Sequence, residues 1–416
     1  MTAGGLSTAP RPPDVNYDEA LVPRYVLPDP LICNDGTPVD SPDVWRQRRR
    51  PELLELFASE IYGRVPGPTT VDVETVACDR KSVSGFATRL ELDVSVRACG
   101  VSDAFLTLRL LVWVPNHVDL PAPAFLGLNY FGNQAVHPDP EIRLAQGWVP
   151  NDPELGIFDN HADDASRGLR ARRWPVELLL TRGYALATVY AGDIDPDYDD
   201  GFQNGAHGLL AALSRTTRGP ESWGSIAAWA WGLSRTFDAL CTIDSIDARR
   251  IGVIGHSRLG KAALWAAAQD DRFAWAISNN SGHGGASLSR RRFGELTRHL
   301  NDRFPHWFAA KLRQYDDREQ ELPIDQHELI ALMAPRPVYV ASAALDLWSD
   351  PRGEWLSCVH ASPVYALHGV GAVDSRDNGA SSDSQGNIGY HCRPGSHDMI
   401  ATDWWHYLDF ADRHFR

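Results

Sequence analysis

The sequence predicts an α/β fold. It would be a mostly parallel central sheet flanked by helices on both faces, a three-layer αβα sandwich with an antiparallel extension at its N-terminal end. Three observations predict it. From Ala124 onward, short apolar runs alternate with helical patterns, as strands buried on both faces do. Upstream, three strand-like runs follow one another with no helix between them, as in an antiparallel meander. Between these signals and the C-terminus lies Ile251-Gly252-Val253-Ile254-Gly255-His256-Ser257-Arg258-Leu259-Gly260-Lys261. There a β-branched run ends in Gly-His-Ser and passes into small residues of helical pattern, Ala262 to Ala268. Strand, sharp turn and helix then follow in order, with Ser257 at the apex.

Taken in order, residues 1–40 are rich in Pro, Asp and Gly and read as an extended arm on the surface, ahead of a single domain over 41–416. Pro42–Tyr62 carries Trp45, Leu53, Leu54, Leu56, Phe57 and Ile61 at helical spacing and ends at Gly63. Strands are predicted at Thr70–Val76, Phe86–Val96 and Phe105–Val114. The second alternates Leu90, Leu92, Val94 and Val96, the pattern of a half-buried antiparallel strand. Ala124–Leu128 is the next strand, followed by a long polar insertion, 134–172, expected at a pocket rim. Further strands are predicted at Tyr184–Tyr190, Phe273–Ser278 and Pro337–Ala341. Helices are predicted at Ser225–Ile243 and Trp404–Phe415. In such sheets chemistry gathers at the carboxyl ends of the strands, where the polar motifs of this chain fall.

Composition excludes several function classes. The formal net charge of -14 argues against nucleic acid or anionic membrane as a partner, because phosphate binding needs a basic surface. No run of 18 apolar residues offers a transmembrane helix. Met1–Val15 lacks a charged start followed by an apolar core, so no export signal is read there. The six cysteines, Cys33, Cys78, Cys99, Cys241, Cys358 and Cys392, form no CxxC or Cys/His metal spacing and read as isolated buried thiols. Most of the fourteen tryptophans are expected in the core. The chain has no HExxH and no phosphate-binding P-loop. The acidic run Asp193–Gly201 resembles a calcium loop. Counted from Asp195, however, its sixth position is Asp200 rather than glycine and its twelfth is Ala206 rather than Glu. It reads as a solvated or pocket-rim loop, and no metal or other cofactor is expected.

Ser257 therefore becomes the candidate nucleophile. Glycine at 255 lets the strand pass close beneath the turn, since no Cβ obstructs it. The run departs from Gly-x-Ser-x-Gly: Leu259 holds the second glycine's place and Gly260 follows one later. The competing reading is a serine that caps the following helix. A nucleophilic serine needs a base and an acid that orients the base, in the chain order Ser, acid, His of the α/β-hydrolase fold. After the strand ending at Ala341 come Asp346, the expected orienting acid, and Asp350, which competes with it or caps the helix starting at Pro351. Gly395-Ser396-His397-Asp398 places His397 on a loop before the last helix, able to swing over the serine. His391, His406 and His414 compete; the last two read as surface residues of that helix. His256, on the strand, is expected to point away from the pocket.

The run Gly255–Lys261, followed by Asn279-Asn280-Ser281-Gly282-His283-Gly284-Gly285-Ala286 and Ser289-Arg290-Arg291, resembles the glucuronoyl esterases. Arg173-Trp174-Pro175-Val176-Glu177 and Gly192–Asp197 extend the resemblance from about Arg170 to the C-terminus. These carbohydrate esterases have an α/β-hydrolase fold and cleave esters between (4-O-methyl-)glucuronic acid of xylan and a lignin alcohol. The resemblance implies Ser257 as nucleophile, His397 as base and Arg258 as a residue stabilising the oxyanion. It also implies Lys261, Glu295 and Trp348 as residues that contact the sugar. Read without it, Glu295 and Arg258 form a buried ion pair and Trp348 packs in the core.

Two departures matter. Fungal members carry a catalytic Glu where this chain has Asn280, so the role of acid falls to Asp346, as in several bacterial members. A fungal disulfide has no counterpart, its two places being His256 and Asp398. The resemblance thus implies a bacterial-type serine esterase, acting on a glucuronate ester or glucuronoxylan–lignin fragment, and exported; a monomer is expected. The alternatives are an acetyl or aromatic-acid carbohydrate esterase, and a catalytically silent polysaccharide-binding member.

Overall fold

A computed structural model of the protein describes residues 12, 14–100, 104–211, 213, 217–373 and 386–415. Its strands are β1 (Thr69–Ser82), β2 (Ala87–Ala98), β3 (Phe105–Pro115), β4 (Ala122–Asn129), β5 (Ala185–Tyr190), β6 (Ile246–His256), β7 (Trp275–Asn279), β8 (Val338–Ala343) and β9 (Ile388–Arg393). They form one sheet in the order β1-β2-β3-β5-β4-β6-β7-β8-β9. β1, β2, β3 and β5 pair antiparallel, and every pair from β5 through β4 to β9 is parallel. The predicted architecture and its N-terminal extension are both present.

Alternation along the inner strands divides the core. Leu126, Val253, Ala276 and Val340 face one hydrophobic cluster with helices α2 (Ser225–Leu240), α3 (Arg258–Gln269) and α4 (Pro351–Leu367). Phe125, Ile254, Ile277 and Tyr339 face the other, with the short helix Val176–Thr181 and α5 (Ala401–Phe415). This is the period-two geometry of a strand buried on both faces. Eleven tryptophans are buried in or beside these clusters, while Trp148 and Trp348 are partly exposed and Trp405 is exposed.

The helix predicted over 42–62 is present, with α1 (Arg50–Phe57, first helix of the series) at its centre and wider π-type turns at Trp45–Arg49 and Ala58–Tyr62. Pro51 has no N–H to return to the preceding turn, and the helix is wider there. Strand β9 was not predicted. Its run, Ile-Gly-Tyr-His-Cys-Arg, mixes glycine with polar residues. Gly389 is required because a Cβ there would lie 2.3 Å from the Tyr339 ring. The cysteines are all free, but Cys78 and Cys241 are exposed, against the expectation that all are buried.

Of the N-terminal arm, residues 1–11 and 13 lie outside the described residues. The rest does more than cover a surface. Asn16 accepts a hydrogen bond from Gly294 N–H at 2.9 Å, Tyr17 meets Phe293 edge-on, and Glu19 pairs with Arg291 at 2.6 Å. The arm therefore braces the segment that carries Glu295. In the insertion, Val149 and Ile157 join Phe131 and Tyr190 in a small separate core, so part of that polar stretch is anchored.

Candidate active site

Strand β6 ends at His256, and Ser257 follows with φ 57° and ψ -130°, a backbone region that costs a non-glycine residue about 1–3 kcal/mol. A Cβ on Gly255 would lie 2.0 Å from the Leu259 carbonyl oxygen, so only glycine lets the strand pass beneath the turn. Ser257 N–H donates to Asn279 O at 2.8 Å, tying the elbow to the end of β7. The Ser257 side chain makes no capping hydrogen bond to α3, although it stands at the N-cap position. The hydroxyl is left for other use, against the capping reading.

The acid and the histidine predicted from chain order meet. His397 Nδ1 donates to Asp346 Oδ2 at 2.6 Å. Asp346 is 1% exposed. Burial pushes its carboxyl up, but the His397 charge and hydrogen bonds from His397, Ser349 and Asn280 outweigh it and hold the group at about 2. Asn280 Nδ2 donates to the same oxygen at 3.0 Å. Asp350 takes no part: it pairs with Arg291 at 2.8 Å and caps α4 through Gly353 N–H at 2.9 Å. His391 is tied to Asp403 at 2.8 Å within the sheet edge, which removes it from the candidates.

The loop bearing His397 is fixed from both sides. Arg393 donates through Nη2 to Ser396 O at 3.0 Å and to Asp398 O at 2.6 Å. The Asp398 carboxylate accepts from Arg173 Nε at 2.6 Å and also from Arg172. These clamps went unrecognised in the sequence, although Asp398 adjoins the histidine and Arg173 opens a recognised motif.

Arg258 begins α3, so its own N–H has no acceptor within the helix. Its guanidinium lies over the Tyr130 ring at 4.9 Å and the Trp307 ring at 5.3 Å, with Nε 2.6 Å from Asp197 Oδ2. The expected Arg258–Glu295 ion pair is therefore not formed. Asp197 also takes Trp307 Nε1–H at 2.8 Å and His306 Nε2 at 3.0 Å. Burial would raise its carboxyl, but Arg258 and His306 keep it below the ordinary value. The acidic run is thus not a solvated loop. Asp193 pairs with Arg109 at 3.2 Å and Asp195 with His207 at 2.8 Å, while Tyr198, Asp199 and Gly201 stand exposed. Tyr130 also donates through its hydroxyl to His256 O, bracing both neighbours of the serine.

Glu295 instead faces Lys261, at 3.6 Å. Lys261 Nζ donates to Ser281 O at 2.8 Å and to His283 O. Trp348 Nε1–H donates to Glu295 Oε1 at 3.1 Å, and Glu295 N–H donates to Trp348 O at 2.9 Å. Trp348 is half-buried and stacks on His299, with ring centroids 5.5 Å apart. It is not simply a core residue. Burial lowers Lys261 and raises Glu295, each opposed by the other's charge. His256, expected to point away, turns its ring to within 4.6 Å of the His397 ring.

This geometry has counterparts in known proteins. The family profile for glucuronyl esterase of fungi matches residues 218–369. A carbohydrate esterase of an unknown prokaryotic organism is 45% identical over 405 residues, 97% of this chain and 93% of that protein. A solved glucuronoyl esterase from Solibacter usitatus is 43% identical, with a TM-score of 0.87 over 96% of this chain and 100% of that one. The chain belongs to the glucuronoyl esterase family. A promiscuous CE15 esterase from a marine bacterial metagenome is similar to this glucuronoyl esterase at 46% identity, with a TM-score of 0.90 over 96% of this chain and 100% of that one. The fold is accordingly that of the α/β-hydrolases, and the protein is a carboxylic ester hydrolase. Among the described residues of this esterase, no helix is long and apolar enough to cross a membrane, and no group of three or more His, Cys, Asp or Glu is placed to hold a metal ion.

Proposed function

We propose that this glucuronoyl esterase hydrolyses esters of (4-O-methyl-)glucuronic acid, such as lignin–glucuronoxylan cross-links, through an acyl-enzyme on Ser257. His397 takes the Ser257 Oγ proton as Oγ attacks the uronate carbonyl carbon. The oxyanion that forms lies toward the N–H groups opening α3 and the Arg258 guanidinium, fixed positive dipoles and charge that lower the barrier. His397 then gives its proton to the leaving alcohol oxygen. Water, losing a proton to His397, attacks the acyl ester and releases glucuronate, and Ser257 regains its proton. Asp346 stabilises the imidazolium throughout.

One observation carries the substrate class. The loop Asp346-Leu347-Trp348 supplies an acid to His397 with one residue and an indole N–H to Glu295 with another two positions on. Lys261 stands one helical turn after Ser257. A donor–acceptor cradle suited to sugar hydroxyls thus has its donors, Lys261 and Trp348, on the same two elements as the catalytic groups, and both face Glu295. A simple acetyl pocket has no use for a buried Lys–Glu pair.

The test is hydrolysis of benzyl glucuronate beside para-nitrophenyl acetate, by the wild type and Ser257→Ala. Clear preference for the glucuronate ester, with an inactive mutant, supports the reading. Cleavage of the acetate alone would remove the sugar-cradle roles of Lys261, Glu295 and Trp348. An inactive wild type would favour a silent polysaccharide-binding protein.

A further inference from the structure

The histidine before the nucleophile is buried against the catalytic histidine, in an environment that fixes both its tautomer and its charge. His256 is 4% exposed. Its Nδ1 lies 2.6 Å from Asn279 Oδ1, and Asn279 Nδ2 donates to the Tyr407 hydroxyl at 2.8 Å. An amide nitrogen only donates, so with its nitrogen on Tyr407 the amide presents oxygen to His256. His256 must therefore carry its proton on Nδ1. The groups facing it are the guanidinium groups of Arg173 and Arg393, the His397 ring, Asn279 and the Tyr130 ring, with centroids 6.3 Å away. Burial, then Arg173 and His397, hold it well below the ordinary imidazole value, so it is neutral at neutral pH.

His397 has one hydrogen-bonded anchor, Nδ1 to Asp346, and its side chain is 33% exposed. A single bond along one axis leaves the ring free to rock about that axis, carrying Nε2 off the Ser257 proton. The His256 ring, 4.6 Å away and inclined at 42°, closes that freedom on one face. We propose that His256 is a positioning residue, a neutral aromatic floor that sets the plane of the His397 imidazole and lies beneath it when it becomes imidazolium. Neutrality matters because a second cation at this distance would oppose the charge His397 acquires in the reaction, whereas a neutral ring face attracts it. The inference rests on the serine-esterase reading above.

The experiment compares His256→Phe, which keeps a flat neutral ring, with His256→Leu, which replaces it by a branched aliphatic group. Both are assayed with para-nitrophenyl acetate and benzyl glucuronate. His256→Leu should lower kcat about 10- to 100-fold on both substrates, the scale of an ångström-level misplacement, with KM nearly unchanged. His256→Phe should recover most of the loss. Equal kcat in the two variants, or a kcat for His256→Leu at the wild-type level, overturns the proposal. Should the variants fail to fold, imidazole nitrogen NMR on the wild type decides. A neutral Nδ1–H tautomer of His256 throughout pH 6–8 is required, and a cationic ring or the Nε2–H tautomer overturns the proposal. Ser257→Ala separates the two levels. Activity in that mutant removes the serine-esterase reading itself, whereas an inactive Ser257→Ala beside an unaffected His256→Leu removes only the role of His256.

Discussion

Two acid–base pairs flank Ser257, and they are built differently. Asp346 and His397 meet at 2.6 Å in a direct hydrogen bond, and the carboxyl is held at about 2 in spite of its burial. Glu295 and Lys261 stand 3.6 Å apart, with the acid raised and the amine lowered by burial. The difference lies in their other partners. The lysine is pulled toward the Ser281 and His283 carbonyls and the glutamate toward the Trp348 indole. The first pair is complete without a ligand. The second retains donor and acceptor capacity that a bridging hydroxyl would fill. Chemistry needs a preformed pair, and recognition needs one with bonds left to make.

The sharpest way to break this contrast is to remove charge from the complete pair. Asp346→Asn keeps the shape but presents an amide to His397, which favours the wrong imidazole tautomer. Activity on every ester should fall by about 10⁴-fold in kcat, as an equivalent Asp→Asn change does in a serine protease triad. Steady-state kinetics with para-nitrophenyl acetate checks it. Retention of near-wild-type activity would mean that Asp346 is not the orienting acid.

The incomplete pair should behave otherwise. Glu295→Gln keeps an acceptor for Trp348 but leaves Lys261 without its anionic neighbour. The expected outcome is a loss of about 10- to 100-fold in kcat/KM on benzyl glucuronate, the scale of one unsatisfied buried polar group, with hydrolysis of para-nitrophenyl acetate little changed. If both substrates suffer equally, the pair serves the chemistry and the contrast fails.

How much of this was legible in the sequence follows the same division. The elbow, the orienting acid and the histidine could be read because each sits at a strand end or loop with its own local signature: Gly255 before the serine, an acid past β8, a glycine-bearing loop before the last helix. What could not be read were partners set by long-range packing. Asp197 reads as part of a solvated or pocket-rim loop among its acidic neighbours, and sequence alone does not show that it meets Arg258, some sixty residues away. Alternation along a strand predicts the His256 side chain on the far face, but β6 ends there and the elbow redirects the chain, so the ring meets His397 instead. Strand β9 was missed because parallel pairing with β8 supplies what its weak apolar pattern lacks.

A third buried acid sharpens the comparison through stability. Glu354 is fully buried, accepting from Gly282 N–H at 2.9 Å and hydrogen-bonded to Ser342 Oγ at 2.5 Å. Burial raises it to about 8, and the nearby Asp346 and Asp350 charges add to the rise. Its folded value lies above the ordinary glutamate value of 4.5, so between about 5 and 8 the native state holds a proton that the unfolded chain has lost. Its contribution to stability is therefore complete below pH 4.5 and is lost as pH rises through 8. Glu354→Gln removes this titration, so urea melts across pH 5–9 should show a flatter decline in the variant. An identical slope would mean that Glu354 is ionised in the folded protein.

The smallest effect belongs to Asn280, which reaches the complete pair from outside. Its amide gives Asp346 a hydrogen bond at 3.0 Å, one of several that hold the carboxyl down. Asn280→Ala removes one bond to a charged acceptor, worth about 1.5–3 kcal/mol at most, and leaves His397 and Ser349 in place. The folded Asp346 value should move up from about 2 toward the ordinary aspartate value of 3.8. Because that group is depressed on folding, its contribution to stability is present above 3.8 and lost as pH falls through the folded value. A smaller gap means a smaller contribution at neutral pH, and acid unfolding that begins at a higher pH. Activity at neutral pH should fall only a few-fold, since the carboxylate remains ionised and still meets His397. A loss as large as that of Asp346→Asn would instead place Asn280 among the groups that orient His397, and the pair would no longer be complete by itself.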